Sequence, residues 1–183
     1  MKKIMVIAFL LMGFTLTNAQ KYLTKEGNIE LYSKTPLLVI DGKSQTAGSI
    51  IDAANGDVVA TVLITSFKFK EALLEEHFNE NYLESDKYPK AQFKGKISNW
   101  SSVNVGKNGT YPITIEGDLT IHGVTKPIKA EGKLVVSGDK LKATTEFYVS
   151  LESYNIRVEE SYKDRIPDKI KLTLDFDYAK MGN

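Results

Sequence analysis

The chain has no cysteine. That excludes disulfides, a thiol nucleophile and a cysteine-ligated metal, and also the lipid anchor of a bacterial-type lipoprotein, which needs a cysteine at the cleavage site. Histidine is scarce: His77 and His122 are the only two, far apart in the sequence and a poor metal pair on their own, so no metal is expected. No charge of either sign prevails, with 24 Lys and Arg against 23 Asp and Glu. Nucleic-acid binding therefore has no electrostatic footprint, and no polybasic block would hold the chain on an anionic membrane. Neither a Gly-x-Ser-x-Gly elbow nor a phosphate loop occurs. Repeats, low-complexity tracts and linkers are missing too, which argues for one domain stabilised by its own apolar core.

Long apolar runs are absent except at the start. Ile4 through Leu16 is apolar, with Lys2 and Lys3 before it and the small residues of Thr17-Asn18-Ala19 after it. The run is shorter than the ~20 residues that span a bilayer. It reads as an export signal, residues 1–19, cut after Ala19. The expected mature chain, residues 20–183, is exported, has no integral membrane span, and carries a formal charge of −1 once Lys2 and Lys3 are lost.

What remains is dominated by period-two alternation, the mark of half-buried strands. Apolar or small residues occupy every second position of Tyr111–Ile121, Leu141–Val149 and Ile170–Tyr178, and nearly every second position of Val124–Val136. Earlier strands are expected at about 28–34, 46–53, 57–68 and 91–101. Asn55-Gly56, Asn108-Gly109, His122-Gly123 and Gly138-Asp139 supply turns between them, and Asn-Gly suits a type I′ hairpin. Two stretches break the alternation. Lys70 to Phe78 reads as a short helix with Leu74 and Phe78 paired at i, i+4, stopped by Tyr88-Pro89; Glu152 to Asp168 is irregular and charged. The fold class is all-β: an eight-stranded antiparallel barrel, closed because open edges invite aggregation, with a short helix and a loop over its mouth.

Four blocks carry a family resemblance: Ser66-Phe67; Glu76-His77-Phe78; Tyr88-Pro89-Lys90-Ala91-Gln92-Phe93; and Gly117-Asp118-Leu119-Thr120-Ile121-His122-Gly123-Val124-Thr125-Lys126-Pro127-Ile128. In order and spacing they resemble the YceI-like polyisoprenoid-binding family over the whole mature chain. The stretch Tyr154–Asp168 departs from the family in length and charge. The resemblance implies a periplasmic, lipocalin-like barrel that holds a polyisoprenoid or another long-chain amphiphile, such as a fatty-acyl lipid, in an apolar tunnel. It implies no catalytic residue and no cofactor other than that lipid. A homodimer is compatible with it.

The candidate lipid-lining residues are Phe67, Phe69, Phe93, Ile97, Ile113, Ile115, Leu119, Phe147, Val149, Leu172, Leu174 and Phe176, with Leu73, Leu74 and Phe78 at the mouth. Moving hydrocarbon out of water yields about 0.8 kcal/mol per CH₂, so a dry tunnel needs no dedicated polar site for affinity. Pattern alone leaves open whether these side chains enclose a void or simply fill the barrel. Small inward residues (Gly95, Gly117, Ala130, Gly132, Ala143) point to a hollow interior, although glycine also marks barrel corners. His77 beside Glu76 is the candidate for facing a lipid head group, and the pair is the least poor acid–base candidate should the barrel be an enzyme. His122 reads as a turn-bracing residue. Glu159, Glu160, Asp164 and Asp168 read as a solvated face rather than a catalytic pair, and the triplets Asn99-Trp100-Ser101 and Asn108-Gly109-Thr110 as coincidental glycosylation matches.

Overall fold

The computed structural model describes residues 20–163 and 165–182. The expected export signal and Asp164 lie outside the described residues.

An amphipathic sheet buries its apolar face by curling on itself, and the alternating segments do so here. The strands are β1 (Lys21–Lys34), β2 (Val39–Asp52), β3 (Asp57–Leu63), β4 (Lys68–Phe69), β5 (Lys90–Ile97), β6 (Gly109–Ile121), β7 (Val124–Ser137), β8 (Lys140–Ser150) and β9 (Lys169–Lys180). Eight long strands pair antiparallel in the order β1-β9-β8-β7-β6-β5-β3-β2, and a β1–β2 pairing closes the barrel. The two-residue β4 is the detached end of the expected 57–68 strand. A 3₁₀ turn, Ile64–Ser66, interrupts that strand, and Phe69 rejoins β2 opposite Gly42. The Ser66 hydroxyl donates to the Leu63 carbonyl at 2.6 Å, and the break turns Ile64 and Phe67 into the interior.

β1 starts well before residue 28. An irregularity between Thr24 and Ile29 leaves Lys25 and Glu26 consecutively exposed, and the alternation is lost there although pairing resumes on both sides. The helix, α1 (Ala72–His77), is shorter than expected and runs into a π-helical turn, Phe78–Tyr82. His122 and Gly123 both have positive φ, +51° and +72°, as a type I′ hairpin requires. The Asn108-Gly109 hairpin is not formed. Gly109 opens β6 after a loop with a 3₁₀ turn at Trp100–Ser102, and Asn108 instead accepts a hydrogen bond from the Gly138 amide at 2.8 Å. The Asn99 side chain likewise ties that loop to β6, accepting from the Thr114 amide and donating to the Pro112 carbonyl.

The up-and-down order puts the short turns β2–β3 and β7–β8, with the loop around Trp100, at one end. The β1–β2 turn, the β4–β5 segment with α1, the β6–β7 hairpin and the β8–β9 loop gather at the other. The two halves differ in packing. Toward the first end the inner faces contribute Tyr22, Ile51, Ile113, Leu134, Leu141 and Tyr178, all essentially without solvent contact. There Tyr178 and Ser49 share a hydrogen bond of 2.8 Å, and Ser49 donates onward to the Val59 carbonyl at 3.0 Å. The Trp100 indole closes this end by donating to the Ala53 carbonyl across Gly56.

Candidate ligand cavity

The other half of the barrel is hollow. An apolar cavity of about 170 Å³ lies there, and 28 residues border it. Its floor follows from register. Along β9 the inward residues Ile170, Leu172 and Leu174 line it and Phe176 does not; along β6, Leu119 and Ile121 line it and Ile115 does not; along β5, Ala91 and Phe93 line it and Ile97 does not. Ala60, Phe93 and Leu119 are successive cross-strand partners just above that floor.

Ten of the sixteen expected residues border this one space: Phe67, Phe69, Leu74, Phe78, Phe93, Leu119, Phe147, Val149, Leu172 and Leu174. Six do not. Ile97, Ile113, Ile115 and Phe176 belong to the packed half, because alternation fixes the face a side chain occupies and not its depth in the barrel. Leu73 is 62% exposed on the outer side of α1, and His77 is half-buried away from the cavity. Neither Glu76 nor His77 borders the space, so the acid–base candidate has no reach into it.

The lids come from the two irregular segments. Glu75 fastens α1 to β4 by accepting from Lys68 at 2.6 Å and from the Phe69 amide at 3.2 Å, and these two contacts hold its carboxyl below the usual range. The fastening sets Phe78 against Phe69 and Phe67, with ring centroids 4.9 and 5.6 Å apart. From the β8–β9 loop, Tyr154, Ile156 and Ile166 are buried over the cavity. The sequence placed this loop over the mouth but did not count these three, or Ile64, Tyr82 and Leu83, among the lining residues. Their charged neighbours mask them, and the one available signal was an apolar residue recurring inside each irregular stretch. His122 joins both lids: Nε2 lies 2.6 Å from Glu84 and Nδ1 lies 3.2 Å from the Tyr154 carbonyl, with the Tyr88 ring edge-on at 4.6 Å.

The small residues turn out to serve the wall. A Cβ on Gly95 would meet the Phe93 ring at 2.6 Å and the Gly117 backbone at 2.7 Å, and one on Gly132 would meet the Thr144 carbonyl at 2.6 Å. They permit close strand approach at corners rather than making the void. In the β8–β9 loop, Asp168 accepts from the Glu152 amide and Glu160 pairs with Lys163, so the described carboxylates there do not converge on a common site.

The closed barrel has counterparts among known proteins. The family model described as YceI-like domain matches residues 13–178. The chain belongs to the YceI-like family. Protein YceI of Shigella flexneri is 32% identical over 109 residues, covering 56% of this chain and 53% of that relative. The UPF0312 protein VPA0850 of Vibrio parahaemolyticus is 33% identical over 87 residues, 47% of this chain and 42% of its own length. The chain thus spans about half the length of these relatives. Among solved structures, a polyisoprenoid binding domain from Saccharophagus degradans, implicated in plant cell wall breakdown, superposes with a TM-score of 0.75 at 10% identity. It covers 88% of this chain and 98% of that one. BcnA of Burkholderia cenocepacia superposes at 0.68 with 16% identity, covering 84% and 96%. At these identities the likeness establishes the YceI-like fold.

The bordering residues of this YceI-like chamber carry few polar groups: Thr61, Gln92, Ser150 and the phenols of Tyr82 and Tyr154. Burial raises both phenols above their ordinary range, with Glu159 adding to the effect at Tyr82. Nothing in this set is arranged as nucleophile and base. The arrangement suits taking up apolar matter.

Proposed function

We propose that this protein binds a long-chain isoprenoid or similar lipid, with the hydrocarbon tail in the lidded cavity, and carries or sequesters it in the periplasm without chemical change. One observation carries the reading: a chamber of about 170 Å³ bordered almost wholly by aliphatic and aromatic side chains. An engineered cavity of roughly 150 Å³ with such walls stays dry and takes up benzene. Water in this chamber would find almost no partners, whereas each methylene moved in gains about 0.8 kcal/mol. The polyisoprenoid-binding neighbour and the family membership support the same class of ligand. With the lids as placed, the chamber holds a segment of hydrocarbon rather than an entire long polyprenyl chain, so the lids yield or part of the chain stays outside.

Organic extraction of the purified protein followed by mass spectrometry tests this. A prenyl or acyl compound near one per chain is expected. On stripped protein, Kd for a homologous series of saturated amphiphiles should fall about fourfold per added CH₂ until the chamber is full, then level off. A protein that carries no lipid and shows no dependence on chain length would overturn the proposal.

A further inference from the structure

The barrel wall has a seam. β7 and β8 pair only from Gly132↔Thr145 to Ser137↔Lys140, near their shared turn. Val124–Glu131 keeps its partner β6, and Glu146–Ser150 keeps its partner β9, but these two segments do not pair with each other. Sequence supplies a cause. The type I′ turn makes Ile121↔Val124 a hydrogen-bonded pair, so Asp118↔Pro127, three pairs on, is a non-hydrogen-bonded one. The nitrogen of residue 127 therefore faces β8, and proline has no hydrogen to donate there. Where the ladder stops, the Thr145 hydroxyl donates to the Glu131 carbonyl at 2.7 Å.

The seam opens as a cleft bordered by Lys126, Pro127, Tyr148, Ser153 and Lys169, and by Val149, Ser150 and Tyr154, which also border the apolar cavity. Lys126 is the cross-strand partner of Leu119, so its side chain leaves the inner face of the sheet. Neither Lys126 nor Lys169 has a carboxylate within 4 Å among the described residues, and the nearby Asp168 carboxylate is engaged by the Glu152 amide. Tyr154 is 3% exposed, and its hydroxyl is buried without a hydrogen-bond partner. A buried orphan hydroxyl in the residue shared by a dry chamber and a lysine-flanked cleft calls for a polar ligand group.

Building on the lipid-binding reading, we infer that the β7–β8 cleft is the head-group subsite and takes an anionic head, a carboxylate or a phosphate. Lys126 and Lys169 supply the charge and the Tyr154 hydroxyl a hydrogen bond, with the tail running past Tyr154 into the chamber. The test uses ligand-stripped full-length protein and three probes of matched chain length: a fatty acid, a prenyl monophosphate and the corresponding neutral alcohol. Wild type should bind at least one of the anions tenfold or more tightly than the alcohol, and the tighter anion identifies the head. In K126E/K169E that preference should vanish while alcohol affinity stays within twofold, and Tyr154→Phe should weaken the anion alone. If the alcohol binds wild type as well as the anions do, or the preference survives the double reversal, the subsite assignment is wrong and the lipid-binding reading stands. If no probe binds wild type, both are overturned.

Discussion

The two halves of the barrel should respond differently to the same truncation. Leu134 has no exposed surface and sits in the packed half, whereas Leu172 is half-buried at the cavity wall. Replacing either by alanine removes three carbons, about 2.4 kcal/mol of transfer free energy at full burial. At Leu134 the neighbours Ile113, Leu141 and Val136 are held by the ladder and cannot collapse inward, so a new void adds to the loss and the total should reach about 3–5 kcal/mol. At Leu172 one side already faces empty space. Part of the transfer term is absent and the void is merely widened, so about 1–2 kcal/mol is expected. Urea unfolding of ligand-stripped protein, read as midpoint times slope, measures both. The same pair should separate in binding: Leu172→Ala lengthens the tail at which affinity levels off by roughly three methylenes, the volume removed, and Leu134→Ala leaves that length alone. Equal costs within about 0.5 kcal/mol, or a changed tail length in Leu134→Ala, would refute the division into packed and hollow halves.

Two further perturbations probe the same division. Burial raises the Tyr178 phenol well above its ordinary value, against a smaller opposing effect of Ser49. The folded chain therefore keeps a proton that the unfolded chain releases. Stability is fully present below about pH 10 and falls by about 1.4 kcal/mol per unit above it, and Tyr178→Phe should flatten that alkaline slope. At neutral pH Ser49→Ala, which orphans the buried phenol, should cost about 1–3 kcal/mol and more than Tyr178→Phe; the opposite ranking in urea unfolding would sink the hydroxyl chain. At the lids, His122→Ala removes the contacts to Glu84 and the Tyr154 carbonyl, so hydrogen exchange at the Tyr154 and Ile156 amides should accelerate well before that of β8; unchanged exchange there would mean the lids are held without it.

The fold was legible because alternation over a dozen residues has few other meanings. β6 to β9 fall close to where their inward faces predict, and closure follows from the number of strands. The first half of β1 escaped because its bulge places Lys25 and Glu26 side by side on the surface. Depth along the barrel was not legible. Ile113 and Leu119 share one face of one strand, yet the first is packed and the second borders the void, and only register against the neighbouring strands separates them. The lid residues Tyr154, Ile156 and Ile166 were hidden among charges because a loop has no period to betray its buried side.

The packed half and the hollow half depend on one another. A chamber that forfeits contacts along its whole lining weakens the domain that holds it, and this chain has no disulfide to compensate. The Tyr22, Leu134 and Tyr178 end supplies the cohesion, with close-packed inner faces and a hydroxyl chain that ends on the Val59 carbonyl. At the other end the wall is relaxed where Pro127 withholds a donor from β8 and where the Ile64–Ser66 turn separates β3 from β4, and the irregular segments lie over the mouth. A tail drawn into the chamber would restore the contacts that the lining lacks. Ligand binding would then be the completion of a core that the polypeptide leaves unfinished at one end.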